Sequence, residues 1–156
     1  MRLALSTAAL LLLAGAPPAP RPVTATARGT FEVTLAPQPA DPYADGAALG
    51  RMTIDKRFAG DLQGTGKGQM LTGMGAVKGS AGYVAIERVA GTLHGRRGSF
   101  VLQHLGTMDR GAQSLTVRVV PDTGTDELAG LAGTMTITVT PGRHDYELTY
   151  TLPAAR

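Results

Sequence analysis

Apolar and polar residues alternate along most of the chain, and this pattern predicts β-strands. Side chains two positions apart lie on the same face of a strand, so such alternation is typical of a strand with one buried face. The pattern indicates eight strands, at residues 27–36, 49–58, 62–72, two within 82–111, 112–120, 134–140 and 143–152. The connections have room for one helical turn around Asp45 to Leu49 and another within 122–133.

The predicted fold class is all-β, an eight-stranded antiparallel up-and-down barrel. No long helical pattern interrupts the strands, and closure removes the exposed edges that an open sheet would carry. A two-sheet sandwich is the alternative. Of the 156 residues, 43% are hydrophobic, which is enough for one domain with a core. The 21 glycines suit turns and bulges better than helices.

Residues 82–111 have the pattern of one β-hairpin, and its turn sets a register. Gly95-Arg96 has the Gly-X chemistry of a two-residue type II′ turn, which places Glu87 opposite His104. The same register pairs Val89 with Leu102, Gly91 with Phe100 and Ala85 with Gly106.

The hairpin face that carries Glu87 is the bulkier one and is predicted to point into the barrel. The candidate ligand-binding residues on inward faces are Tyr83, Glu87, Phe100, Leu102, His104 and Met70. A carboxylate beside an imidazole orients the ring for acid/base chemistry, so Glu87 and His104 are the candidate catalytic pair. The alternative is a structural cross-strand ion pair or a satisfied core histidine.

The opposite face of the hairpin is also rich in apolar residues. It carries Val84, Ile86, Val101 and Leu105 beside Arg88 and Gln103. Such a face is too apolar for a fully solvated wall, so it predicts a contact between subunits of a homo-oligomer.

Three glycines, Gly64, Gly66 and Gly68, occupy every second position of the third predicted strand. A phosphate-binding loop is excluded, because no helical pattern follows and Lys67 precedes glycine rather than Ser or Thr. Alternate glycines on an inward face let a strand coil sharply and leave empty volume. The run therefore predicts a cavity inside the barrel.

Residues 1–16 have the layout of a secretory signal peptide. One arginine precedes an apolar run that ends in small residues and is too short to span a bilayer. Prolines follow at once, so we expect residues 1–27 to be a signal peptide and Pro-rich tether, and residues 28–156 to be one barrel domain. Cleavage after Ala16 and cleavage after Ala27 both fit. The mature protein is then periplasmic or extracellular, without a membrane span.

Charge and residue types argue against several function classes. Loss of Arg2 and Arg21 with the leader lowers the formal net charge from +3 to +1, and no Trp is present to stack on bases. Nucleic acid is therefore not an expected partner. The histidines, His94, His104 and His144, lie on separate elements without metal-ligand spacing. Neither a cysteine nor a GxSxG elbow provides a nucleophile, and we expect no metal or other cofactor.

Three strings, GYVAIERVAGTLHGRRGSFVLQHLGTMDRG, VVPDTGTDELAGLAGTMTI and YELTYTLP, resemble the bacterial family called domain of unknown function 3224. The resemblance covers residues 29–153. It implies an eight-stranded antiparallel barrel similar to plant allene oxide cyclase, with an apolar lumen and a precedent for cyclising a fatty-acid-derived epoxide. It implies no activity, because the family is itself uncharacterised, and the glutamate inside allene oxide cyclases is not aligned with Glu87.

We therefore expect a secreted barrel that binds a small apolar ligand in its lumen. One alternative is a cofactor-free isomerase or cyclase with Glu87 and His104 as its acid/base pair. Another is a structural or interaction module with a filled core. The lumen discriminates between them, because a void of roughly 300 Å³ or more is a ligand site rather than a packing defect. Binding ranks above catalysis, since sequestering an apolar molecule needs only the cavity.

Overall fold

The computed structural model describes residues 22–39 and 49–153, and these residues form a closed antiparallel β-barrel. Its eight strands are β1 (Val23–Pro37), β2 (Leu49–Gly60), β3 (Leu62–Met74), β4 (Ala81–Leu93), β5 (Arg96–Asp109), β6 (Ala112–Val119), β7 (Ala132–Thr140) and β8 (Arg143–Leu152). Each strand pairs with the next, and β8 pairs with β1 to close the sheet. The predicted all-β, eight-stranded up-and-down barrel is confirmed.

One of the two predicted helical turns is present in the described residues. A 3-10 turn at Asp126–Leu128 connects β6 to β7, within the region predicted to hold it. The other prediction, around Asp45 to Leu49, lies mostly outside the described residues, and Leu49 itself begins β2. In the part of the chain that the structure describes, no helix is long and apolar enough to cross a membrane.

The first strand begins at Val23, earlier than the alternation of side chains indicates. Its first half, from Val23 to Phe31, pairs with β8, and its second half, from Gly29 to Pro37, pairs with β2. The early residues are small threonines and alanines, which give a weak hydrophobic signal although their backbone groups pair fully. Residues 23–27, which the sequence assigns to the tether, thus belong to the barrel wall.

The hairpin between β4 and β5 has a different turn from the predicted one. His94 and Gly95 form the two-residue loop, with positive φ angles of 47° and 80°, and Leu93 pairs with Arg96. Positive φ at both central residues makes this a type I′ turn rather than type II′. The predicted Gly95-Arg96 turn is therefore wrong.

The observed register differs from the predicted register by two residues, so the predicted pairings are wrong. Glu87 pairs with Leu102, and His104 pairs with Ala85. The other observed pairs are Val89 with Phe100 and Gly91 with Gly98. A shift of two residues keeps every side chain on its original face. Glu87 and His104 therefore both point inward, as predicted, and become diagonal neighbours within reach of each other.

One end of the barrel, which we call the capped end, is filled by apolar side chains. The connection from β6 to β7 folds over this end, where the Thr125 amide donates a hydrogen bond to the Ser99 carbonyl. Leu128 and Leu131 on this connection are each 1% exposed and pack into the main core with Phe100. The opposite end, where β1 and β3 finish and β4 begins, we call the cavity end.

Apolar side chains also form an outer stripe, which we define as Leu71, Val84, Ile86 and Leu105. Leu71 pairs with Val84, and Val84 pairs with Leu105, so the stripe crosses β3, β4 and β5 without a break. Its four side chains are exposed on the outside of the barrel. Val101, which was also predicted for this face, is half-buried.

Candidate functional site

A cavity of about 410 Å³ occupies the cavity end of the barrel. Its inner wall includes Phe31, Ile54 and Met70, which are buried. Its rim is formed by exposed apolar side chains, Leu35, Met74, Leu115 and Val139. The cavity is thus a mostly apolar space, and its rim accounts for several of the exposed hydrophobic residues.

Three buried polar side chains meet at the inner end of the cavity, and we call them the polar floor. Lys56 of β2, Glu87 of β4 and His104 of β5 are 6%, 0% and 3% exposed. Lys56 Nζ donates a 2.7 Å hydrogen bond to Glu87 Oε2. His104 Nε2 lies 3.1 Å from the same oxygen but lacks hydrogen-bond alignment with it. Glu87 Oε1 has no hydrogen-bond partner among the described residues.

The polar floor forms across an intervening strand because that strand carries glycine. β3 separates Lys56 from Glu87, and Gly66 of β3 is the direct pairing partner of Lys56. A Cβ atom on Gly66 would lie 1.9 Å from Glu87 Oε1. The carboxylate therefore occupies the space that a side chain at position 66 would need, and glycine is required there by close approach.

The other glycines of the run also lie against their neighbours. A Cβ atom on Gly64 would lie 2.2 Å from the Ala90 carbonyl oxygen, and one on Gly68 would lie 2.4 Å from the Ile86 carbonyl oxygen. The prediction that these glycines line an empty space is therefore wrong. The backbone of β4 and the Glu87 carboxylate occupy that space. The cavity lies further toward the cavity end.

The pKa of Glu87 reflects two opposing influences. Burial raises it, because the charged carboxylate loses its solvation by water. The contacts with His104 and Lys56 favour the charged form and together outweigh burial, so the pKa is held below its usual range. Glu87 is therefore a carboxylate at neutral pH, and it forms a buried ion pair with the Lys56 ammonium.

The Lys56 ammonium also lies over aromatic rings. Its Nζ is 4.6 Å from the ring centroid of Phe31 and 5.7 Å from that of Phe58, distances at which the ring faces attract a cation. Among the described residues, its one hydrogen-bond acceptor is Glu87. An ammonium has three donors, so Lys56, which lines the cavity, has N–H groups free for a guest.

Tyr83 lies on the cavity wall near the polar floor. Its ring covers Gly106, the residue that pairs with it on β5, and a Cβ atom on Gly106 would lie 2.1 Å from that ring. Burial and then the negative charge of Glu87 both raise the pKa of Tyr83. The phenol therefore stays protonated at neutral pH and is a hydrogen-bond donor.

The structure brings three of the predicted ligand-binding residues to the cavity. Met70, Tyr83 and His104 line it. Glu87 is completely buried behind the cavity wall, where it contacts Lys56 and His104, which do line the cavity. Phe100 and Leu102 pack in the main core toward the capped end instead, and are not part of the described cavity lining.

Sequence reasoning missed Lys56 and His144 as members of the site. Lys56 interrupts the apolar inward face of β2, and an inward lysine in an otherwise apolar alternation is the signal that identifies it. His144 lines the cavity and stacks on Phe31 with a ring-centroid distance of 5.0 Å. That contact joins β8 to β1, so it follows from barrel closure and has no local signal in the sequence.

The remaining histidine, His94, lies in the turn at the capped end. Its Nδ1 is 2.7 Å from the Tyr150 hydroxyl, and its Nε2 is 3.5 Å from Asp61 Oδ2. These contacts join the β4–β5 turn to β8 and to the β2–β3 turn. Within residues 22–39 and 49–153, no three metal-ligating side chains are placed to hold an ion together.

The geometry combines an apolar cavity with hydrogen-bond donors at its inner end. Such a site can hold an apolar molecule and orient it through one polar group. His104 both lines the cavity and contacts a carboxylate, which is the spatial requirement for moving a proton to or from a bound molecule.

Comparisons with known proteins place this barrel among relatives of unknown function. Residues 27–150 match the model of a family described as "Protein of unknown function (DUF3224)". A DUF3224 protein of unknown function from Shewanella oneidensis MR-1, whose crystal structure is known, is 48% identical in sequence to this chain. The two structures superpose with a TM-score of 0.77. That match covers 86% of this chain and 100% of the other. No curated protein matches the chain significantly.

Proposed function

The chain belongs to the DUF3224 family, and we propose that it binds a small apolar molecule in the cavity of its barrel. The observation that carries the proposal is a cavity of about 410 Å³ with apolar walls and a buried polar floor. Ligand sites in proteins are typically concave, about 300–1,000 Å³ in volume, and mostly apolar with a few placed polar groups. The cavity meets each of these criteria.

The contrast between the two ends of the barrel supports binding over a packing defect. Protein interiors contain few voids larger than a water molecule. The capped end is packed in this way, because Leu128 and Leu131 fill the space inside it. The cavity end has space for about fourteen water molecules, at about 30 Å³ for each. A barrel whose role needed only a filled core would gain stability by packing both ends alike.

The test is binding of N-phenyl-1-naphthylamine, an uncharged probe whose fluorescence rises in apolar surroundings. Ile137→Trp fills the cavity from β7, and Ile86→Trp adds the same bulk to the outer stripe. We expect the wild type and Ile86→Trp to bind the probe alike, and Ile137→Trp to bind at least tenfold more weakly. Circular dichroism checks that each variant is folded, and Leu115→Trp at the exposed rim replaces Ile137→Trp if the latter unfolds.

Two results contradict the proposal. One is a wild-type protein that gives no saturable fluorescence increase. The other is unchanged binding in a folded Ile137→Trp variant, because the probe would then be bound outside the cavity.

A second candidate function is cofactor-free isomerisation or cyclisation of an apolar substrate. The position of His104 favours it, since the ring lines the cavity and its Nε2 lies 3.1 Å from Glu87 Oε2. A base at this position would exchange the α-hydrogens of a bound ketone with solvent deuterium. We expect faster exchange with the wild type than with His104→Gln, by mass spectrometry of 2-undecanone in D₂O. Equal rates in the two proteins would leave binding as the function.

A further inference from the structure

We propose that the ligand is an uncharged apolar molecule with one hydrogen-bond acceptor, such as a carbonyl oxygen, that docks on Lys56. The inference rests on the proposed function, because it specifies the chemistry of the ligand for the same cavity. Lys56 contributes the donor and the apolar walls hold the rest of the molecule.

The first step concerns charge. Lys56 and Glu87 already balance each other through a 2.7 Å ion pair. Lys56 is the one Lys, Arg, Asp or Glu side chain among the described residues that line the cavity. The ion pair of the polar floor therefore carries no net charge. A carboxylate ligand would add an uncompensated negative charge in apolar surroundings, and burial of an unpaired charge is strongly unfavourable.

The second step concerns hydrogen bonding. Lys56 has N–H groups that Glu87 does not use, and Tyr83 adds a protonated phenol to the same wall. The strongest acceptor nearby, the Glu87 carboxylate, is not part of the described cavity lining. One of its oxygens contacts Lys56 and His104, and the other lies against Gly66. The inner end therefore offers donors, which a fully apolar ligand would leave unsatisfied.

The third step concerns size. The volume of about fourteen water molecules suits a molecule with a similar number of non-hydrogen atoms, because a methylene group and a water molecule have similar volumes. Three compounds with twelve non-hydrogen atoms each form a matched set: 2-undecanone has a neutral acceptor, decanoate has a charged one, and dodecane has none.

The experiment measures displacement of N-phenyl-1-naphthylamine by these three compounds at pH 8. We expect 2-undecanone to bind about tenfold or more tightly than dodecane, because a hydrogen bond from a charged donor is among the stronger ones in proteins. We also expect it to bind at least tenfold more tightly than decanoate.

The variant that removes the donor is the double substitution Lys56→Met with Glu87→Gln. It removes both charges together, so no unpaired charge is left in the core. We expect its preference for 2-undecanone over dodecane to fall at least tenfold, because the carbonyl oxygen loses the Lys56 donor. Lys67→Met with Asp55→Asn is the matched control, because it removes the same kind of ion pair from the outer face of β2 and β3 and should keep the wild-type preference.

The outcomes separate this inference from the proposed function. Tighter binding of decanoate than of 2-undecanone overturns the inference, and so does equal binding of all three compounds, while both leave apolar binding in place. A preference for the ketone that is undiminished in the Lys56→Met, Glu87→Gln variant also overturns it. Failure of the wild type to bind the probe or any of the three compounds overturns the proposed function and this inference together.

Discussion

Replacing Lys56 with methionine tests the energetic role of the polar floor. The substitution keeps a long side chain at the inner end of the cavity but removes the ammonium from Glu87 Oε2. Glu87 is completely buried, and one of its oxygens already lacks a hydrogen-bond partner among the described residues. In the variant, the carboxylate would be left with the unaligned contact to His104 as its nearest polar neighbour.

The expected loss of stability is about 3–5 kcal/mol, the range observed when one partner of a buried ion pair is removed. Single domains are stable by only about 5–15 kcal/mol, so this loss is a large fraction of the total. For a domain of this size, 1 kcal/mol corresponds to roughly 3–5 °C in Tm. We therefore expect Tm to fall by roughly 10–20 °C.

A double-mutant cycle separates the ion pair from the bulk of its side chains. The variant with both Lys56→Met and Glu87→Gln contains no buried charge, so it should be at least about 2 kcal/mol more stable than the sum of the single effects predicts. The same cycle with Lys67→Met and Asp55→Asn on the outer face should give a coupling of about 1 kcal/mol or less, because that pair is exposed to water.

The assay is urea denaturation at pH 7, followed by the same measurements at acid pH. The pKa of Glu87 is lower in the folded protein than its unfolded value of about 4.3, so the stabilisation from its charge is fully present above about pH 5. It is lost as the pH falls through the folded-state pKa, below 4.3. Wild type should therefore lose stability more steeply than the double variant at acid pH. A loss below 1 kcal/mol for Lys56→Met, or equal coupling in the buried and exposed cycles, refutes the reasoning.

Three further predictions concern other parts of the barrel. Gly66→Ala should lower the free energy of unfolding, measured by urea denaturation, by about 2 kcal/mol or more, because the new Cβ atom displaces the Glu87 carboxylate. Gly73→Ala is the control: its Cβ atom makes ordinary contacts, so the free energy of unfolding should change by less than about 1 kcal/mol. We propose that the outer stripe is buried in a homo-oligomer, so light scattering should show an assembly for the wild type and a monomer for Ile86→Glu; a monomeric wild type at high concentration contradicts this. We also propose export with cleavage after Ala16, because residues 23–27 pair with β8 and a cut after Ala27 would remove them from the barrel. Mass spectrometry of protein from its source contradicts this if it finds an intact Met1 or a cut after Ala27.

The fold was predictable because it depends on a property that the sequence displays directly. Alternation with a period of two identifies the strands and the two faces of each, and eight such strands without a long helix favour a closed barrel over a sandwich. The inward position of Glu87 was correctly assigned even though its predicted cross-strand partner was wrong. The error came from placing the turn at Gly95-Arg96, which shifted the register by two residues. Two residues are one period of the alternation, so the face was assigned correctly although the pairing was wrong.

The site was less predictable because its contacts cross strands that are not neighbours in a hairpin. Lys56 and Glu87 meet over Gly66, and no local pattern in β2 or β4 indicates that β3 has no side chain at the point between them. The glycine run was recognised as unusual, but the sequence does not distinguish space left empty from space taken by a neighbour. Only the closed register of three adjacent strands decides between these two outcomes.

We propose that the polar floor serves binding rather than stability. An apolar pair of similar volume often gives equal or greater stability than a buried ion pair, so stability alone does not require Lys56 and Glu87 inside a barrel. The N–H groups of Lys56 that Glu87 does not use can instead donate a hydrogen bond to an acceptor on a bound ligand. The variant with both Lys56→Met and Glu87→Gln tests this argument directly, because it should remain folded and keep its cavity. If it does so and its preference for 2-undecanone over dodecane falls at least tenfold, the ion pair serves recognition; if the preference is undiminished, the pair is structural.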